Sequence, residues 1–293
     1  MSNLSSPNPA QLRAARWQRL LPRHLLTRCA GYLAAKRAGK ATTWAIRRFV
    51  QHYNVNMDEA QIPDLAHYKT FNEFFVRALK PECRPFSEAT LISPVDGVIS
   101  QLGRIQETTI IQAKQHHYTT QALLASDTTL ADKFTNGLFA TIYLSPKDYH
   151  RIHMPCAGTL ISMRYVPGDL YSVNPATVIE IPGLFARNER VICHFKSETL
   201  GDFVMILVGA TIVGSMQTAW HGIVNKKQRK QTFTRHYDSE SIQLRQGEEM
   251  GQFLLGSTVI VLFQHQTLAF EPSLAAGSPV KLGEAFGNTG ELP

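Results

Sequence analysis

Two different patterns divide the chain. Over residues 10–50, Leu20, Leu21, Leu25, Leu26, Cys29, Tyr32 and Leu33 recur at helical spacings. That repeat puts an apolar stripe on one face of a helix. Ala, Leu and Arg dominate the stretch and Pro22 interrupts it once, so it predicts helix on both sides of that break. Thr70, Phe71, Asn72 and Glu73 read as a capping box that opens a short helix through Lys80, ended by Pro81 and Pro85. From Leu91 onward Gly, Val, Ile and Thr rise, and short apolar runs alternate with turn residues. ATIYL (140–144), VICHF (191–195), VMILV (204–208), TIVGS (211–215) and TVIVLF (258–263) predict strands. Gly97, Gly158 and Gly222 each precede aliphatic residues, as tight strand entries do. The pattern favours a compact barrel or sandwich over a doubly wound sheet.

The long uncharged run Phe203 to Asn225 is the one stretch that invites a membrane-spanning reading. Gly209, Thr211, Gly214, Ser215, Gln217, Thr218 and His221 interrupt it, and its β-branched texture predicts two buried strands joined tightly instead. A secretory signal is not predicted either, because arginines recur at 13, 16, 19, 23 and 28 where a clean apolar stretch would have to lie.

Composition sharpens this picture in two ways. With 293 residues, 44% hydrophobic and 18% charged, the chain can bury a sizeable core and is not of a disordered type. Cys29, Cys83, Cys156 and Cys193 form no C-x-x-C pair and are too sparse for a disulfide scaffold, so they read as free thiols in a reducing compartment. Charge is uneven. Residues 1–57 carry ten Lys or Arg and no acid, while the remainder carries 20 basic against 23 acidic residues. A near-neutral body with a +10 arm points to a polyanionic partner. Trp17 and Trp44 among the arm's Leu and Arg suggest a helix lying in a membrane interface. Nucleic acid is disfavoured because the basic residues match no recognition motif. The plainer alternative is a pair of amphipathic helices capping the body with solvated basic faces.

Candidate chemistry falls in three places. Asp96 lies in Ser93-Pro94-Val95-Asp96-Gly97, where Asp before Gly ordinarily just makes a turn. His150 and His153 lie three apart. Ser145 as N-cap and Pro146 at the first helical position predict one helical turn there, which would put both imidazoles on one side. No third ligand of suitable spacing accompanies them, so no metal is expected. Ser257 lies in Leu254-Leu255-Gly256-Ser257-Thr258, which is not a G-x-S-x-G elbow. Asp96, His153 and Ser257 are residue types of an acid, base and nucleophile, but their spacing neither supports nor excludes contact.

Beyond these local readings, the chain resembles the bacterial phosphatidylserine decarboxylases, the membrane-associated family with a pyruvoyl group. The runs that carry the resemblance are KRAG (36–39), TFNEFFVRALK (70–80), DGVISQLG (96–103), YLSPKDYHRIHMPC (143–156), YVPGDLYSVN (165–174), LFARNERVIC (184–193), ILVGATIVGS (206–215) and GQFLLGSTVI (251–260). They extend over most of the chain in the family's order. Val95 stands where the family often has Ala, and the long acidic tail of some relatives is lacking after Leu282-Gly283.

The resemblance implies an α+β fold, a β-rich barrel or sandwich-like body with N-terminal membrane-surface helices. It implies a basic helical region over 1–90 and a catalytic domain over 91–293. Self-cleavage between Gly256 and Ser257 would give a large chain 1–256 and a small chain 257–293. Ser257 would be the nucleophile and become the pyruvoyl group, the covalent pyruvate cofactor, with His153 its base and Asp96 the orienting acid. His150 would be the acid–base group of the decarboxylation, in which phosphatidylserine forms a Schiff base with the pyruvoyl ketone and leaves as phosphatidylethanolamine. The expected partners are phosphatidylserine and an anionic membrane surface, not nucleic acid. The expected state is a homo-oligomer of the processed pair, peripheral on the cytoplasmic face of the cell membrane. Two other classes remain open from the residues alone. A lipid serine hydrolase would use the same residues in an intact chain. A non-catalytic membrane- or nucleic-acid-binding protein driven by residues 10–50 would not need Ser257.

Overall fold

The computed structural model describes residues 7, 9–18, 21–113, 116–211, 215–225, 230–254, 258–264 and 268–290. The basic arm forms three helices, α1 (Pro9–Trp17), α2 (Arg23–Ala34) and α3 (Lys40–Tyr53). Pro22 makes the expected break. A second break over 35–39, with Gly39 at φ 55°, was not expected from the periodicity. A left-handed Asn54 ends α3, as Asn tolerates that conformation better than most side chains. The next helix, α4 (Phe71–Phe75), is shorter than the predicted run through Lys80. Thr70 caps it by accepting from Glu73 N, but the Glu73 carboxylate accepts from Lys69 N rather than closing the box on Thr70.

The body is built on one nine-stranded sheet, antiparallel throughout. Its main path runs Phe233–His236, Gly158–Val166, Arg190–Ser197, Gly201–Val208, Thr258–Phe263, Leu138–Tyr143, Gly97–Arg104 and Pro279–Val280. Gln243–Leu244 adds to the second of these strands. The order leaves two free ends, so the sheet is open and not a closed barrel. Thr258–Phe263 sits at its centre with every residue buried, which explains why TVIVLF is a continuous apolar run rather than an alternating one. It pairs with Leu138–Tyr143 on one side and Gly201–Val208 on the other. Gly97, Gly158 and Gly222 each begin a strand, as their sequence context predicts. At Gly97 a side chain would meet the Tyr143 carbonyl at 2.5 Å, so the close approach of the two strands requires glycine.

A four-stranded sheet runs Gly222–Ile223, Met216–Thr218, Glu249–Phe253 and Arg151–His153. Its Ile152, Met216, Met250 and Phe253 share the main core with the large sheet. Of the expected tight pair within Phe203–Asn225, VMILV lies in the strand Gly201–Val208 of the large sheet, whereas most of the second expected strand, TIVGS, falls outside the described residues. Residues 212–214 of that run lie outside the described residues. A separate small core joins Ile46, Val55, Tyr68, Phe74 and Phe75. All four cysteines are unpaired. Among the described residues no helix is long and apolar enough to cross a membrane.

Candidate active site

Asp96 sits in a bend immediately before the strand Gly97–Arg104. Ser93 Oγ donates to the Val95 carbonyl at 2.8 Å and shapes that bend. His153 lies in the strand Arg151–His153, and its backbone N donates to the Pro94 carbonyl at 2.9 Å. Bend and strand are thus side by side, and two of the predicted site segments meet.

Their side chains do not bond each other. The Asp96 carboxylate takes Arg84 Nε at 2.9 Å, Arg84 Nη2 at 2.5 Å and the Leu282 backbone N at 2.9 Å. The His153 ring instead donates from Nδ1 to the Gly247 carbonyl at 2.8 Å. A carbonyl can only accept, so Nδ1 carries the proton and Nε2 is left with its lone pair. Nε2 accepts from the Tyr149 hydroxyl at 3.2 Å. Burial holds the His153 imidazole below its ordinary basicity, opposed by the Gly247 hydrogen bond and by Glu249 and Asp96. The ring is therefore neutral near pH 7 with its basic nitrogen at Nε2. The resemblance implies Asp96 as the residue that orients this ring; in the structure the group bonded to Nδ1 is the Gly247 carbonyl.

The predicted helical turn around the histidines is absent. Ser145 to Asp148 form a turn in which the Asp148 carboxylate accepts from Ser145 N at 2.7 Å, and the chain then extends. In extended chain, residues three apart point to opposite sides. Accordingly His150 is fully buried, its ring 4.1 Å from that of Phe75, while His153 is only half-buried. His150 Nδ1 donates to the Asp148 carbonyl at 2.8 Å, and among the described residues its Nε2 has no partner. Burial lowers its pKa from 6.5 to about 3.

Gly256 and Ser257 lie outside the described residues, as does Leu255. Phe253 N donates to the His150 carbonyl at 3.0 Å, and Leu254 N donates to Ser215 O at 3.1 Å. Beyond the gap Thr258 opens the central strand between Tyr143 and Val208, with its Oγ1 buried and unpartnered among the described residues. Sequence reasoning missed Arg84, Tyr149 and Gly247 as neighbours of the acid and base. Tyr149 lay within a quoted motif; Arg84 and Gly247 carried no local signal.

The arm reaches this body through its own cations. Arg16 pairs with Glu180, and Arg23 pairs with Asp169 while stacking 3.8 Å over the Tyr171 ring. Leu25, Leu26, Tyr32 and Leu33 are exposed on α2. Their spacing of seven puts them on one face.

Comparison with known proteins returned the family described as "Phosphatidylserine decarboxylase", matched over residues 71–288, and a second family described as "PSD", matched over residues 14–54. A phosphatidylserine decarboxylase proenzyme of Variovorax paradoxus is 57% identical over 275 residues, 94% of this chain and 97% of the relative. Proenzymes of the same name from Polaromonas sp. JS666 and Methylobacillus flagellatus are each 58% identical, over 92% of this chain and 96% of theirs.

Proposed function

Since the chain belongs to the phosphatidylserine decarboxylase family and is a carboxy-lyase of phosphatidylserine, we propose that it is made as a precursor and matures by cutting itself at Gly256-Ser257. The relatives' name, proenzyme, supports processing. In this reading His153 Nε2 takes the proton of the Ser257 hydroxyl as its oxygen attacks the Gly256 carbonyl, turning the peptide into an ester. The Nδ1 bond to Gly247 supports that role, because it fixes the tautomer a base at Nε2 needs. Asp96 acts through its charge on the imidazolium rather than through a direct hydrogen bond. Elimination from the ester frees the Gly256 carboxylate, and hydrolysis of the residue left at 257 yields pyruvoyl and ammonia.

The pyruvoyl group, once formed, supplies a carbonyl that accepts the electron pair of the breaking C–CO₂ bond. The surroundings suit it: Thr258 Oγ1, on the residue after Ser257, and His150 Nε2 are both buried and without partners among the described residues. The observation that carries the reading is His150 itself. It is buried, neutral at pH 7, without a partner at Nε2 among the described residues, and its carbonyl anchors the strand leading into the cleavage site. An unprotonated Nε2 accepts a proton before it can give one. In this reading His150 is the acid–base group of the decarboxylation, delivering a proton to the α-carbon after CO₂ leaves; because the free ring is neutral, it takes up that proton only within the substrate complex.

The arm would bring this chemistry to the lipid. Trp17, Leu25, Leu26, Leu33 and Trp44 expose apolar surface among basic residues. Each cation near an anionic leaflet contributes about 1 kcal/mol. Arg16 and Arg23 are already engaged by body carboxylates, so they serve to join arm and body. The arm is thus the lipid-facing part of the 1–90 region, while Phe75 and Arg84 at the end of that region pack on His150 and Asp96 and work with the catalytic region 91–293.

The test is a gel beside a CO₂-release assay. His153→Ala should remain uncut and inactive, a loss of roughly 10²- to 10⁴-fold in cleavage rate for a missing general base. His150→Ala should cleave yet decarboxylate poorly. A cleaved, fully active His153→Ala protein would overturn the reading.

A further inference from the structure

The loop that follows Pro81–Cys83 touches both the acid and the support of the base. Every guanidinium nitrogen of Arg84 has an acceptor. Nε and Nη2 fork onto Asp96 at 2.9 and 2.5 Å, Nη2 also reaches Glu59 at 2.8 Å, and Nη1 donates to the Cys83 carbonyl at 2.7 Å. The Arg84 and Asp96 side chains are only 8% and 9% exposed. Two residues on, the Phe86 ring lies against Gly247 and Gly283, which have φ 77° and 87°. A β-carbon at either glycine would strike that ring, at 2.6 Å in the case of Gly283. Ser87 N then donates to the Gly283 carbonyl at 2.8 Å and closes the strap. Gly247 is the residue whose carbonyl holds His153 Nδ1.

A carboxylate turns easily about its last torsion. A guanidinium fork removes that freedom, and a lysine cannot reproduce its geometry. A glycine at positive φ is likewise free to move unless something packs on it. We propose that Arg84 and Phe86 are positioning residues for maturation: Arg84 holds the Asp96 carboxylate in its orientation, and Phe86 holds the Gly247 carbonyl against His153. This rests on the reading above, in which Asp96 and His153 drive self-cleavage.

The experiment is a pulse-chase of full-length chain made by cell-free synthesis. Cleavage is read on a gel, and folding is checked by resistance to trypsin. Arg84→Ala should fold and cleave at least about tenfold more slowly, equivalent to about 1.4 kcal/mol in the barrier. Millimolar guanidinium chloride, but not sodium chloride, should restore part of that rate. Arg84→Lys should be intermediate and Phe86→Ala should be slowed without rescue. A merely structural role predicts loss of trypsin resistance in step with cleavage and no rescue, and that result overturns the proposal. Asp96→Asn is run beside them. If it is uncut while Arg84→Ala cleaves at the normal rate, the proposal alone fails. If Asp96→Asn itself cleaves at the normal rate, the underlying reading fails and takes the proposal with it.

Discussion

Acidification should destabilise this protein through one residue more than any other, His150. Its ring is fully buried against Phe75, with Nδ1 committed to the Asp148 carbonyl and no described partner at Nε2 to receive a proton. The unfolded chain binds a proton there near the ordinary 6.5, whereas the folded chain does so only near 3. The folded pKa is the lower one, so the contribution to stability is complete above the unfolded value. It is lost as pH falls from there toward the folded value. Over the window from pH 7 to pH 5 the linkage relation puts the loss at about 2 kcal/mol. Other buried histidines add to the acid sensitivity, so the quantity to measure is a double difference. Urea unfolding followed by tryptophan fluorescence, in a Ser257→Ala background that keeps one chain, should be run at both pH values for His150 and for His150→Leu. His150→Gln serves as a second replacement if the leucine variant folds poorly. Stability should fall by about 2 kcal/mol more with the histidine than without it. An equal pH effect in all three proteins would refute the claim that this imidazole is buried neutral.

Self-cleavage should keep its rate down to pH values below 6.5, because burial lowers the His153 pKa and the base at Nε2 is lost only on protonation; a pulse-chase across pH checks this. Replacing Leu25 and Leu26, both exposed on α2, with serine should weaken binding to anionic vesicles in a flotation assay while leaving cleavage intact. Raising salt should release the protein in part, since at 1 M the screening length shrinks to about 3 Å. Ile260→Ala, at a fully buried position of the central strand, should cost about 2–5 kcal/mol in urea unfolding.

The strands were the most legible part of the fold. ATIYL, VICHF and TVIVLF are largely apolar runs without polar alternation because their strands sit inside a sheet with covered faces. The histidine motif misled for a local reason. Ser145-Pro146 does carry the signature of a helix start, but the Asp148 side chain takes the Ser145 N–H and closes a turn instead. Pairing of Arg151–His153 with Glu249–Gln252 then holds the chain extended. Local pattern cannot register that pairing, because the partner lies far along the chain. The same holds for the groups that orient acid and base. Gly247 lies 94 residues from His153, and an arginine twelve residues before Asp96 looks like any other surface cation until it folds inward. In the arm, periodicity found the helices but not their second break, since Gly39 interrupts a stretch whose composition stays helical.

Self-processing is the centre of the account, and an intact-mass spectrum of the purified protein tests it most directly. The account predicts two species, residues 1–256 and residues 257–293, the smaller carrying a pyruvoyl group and yielding no signal on Edman degradation. A single mass equal to the full translation, or a small fragment with an ordinary N-terminal serine, would contradict it.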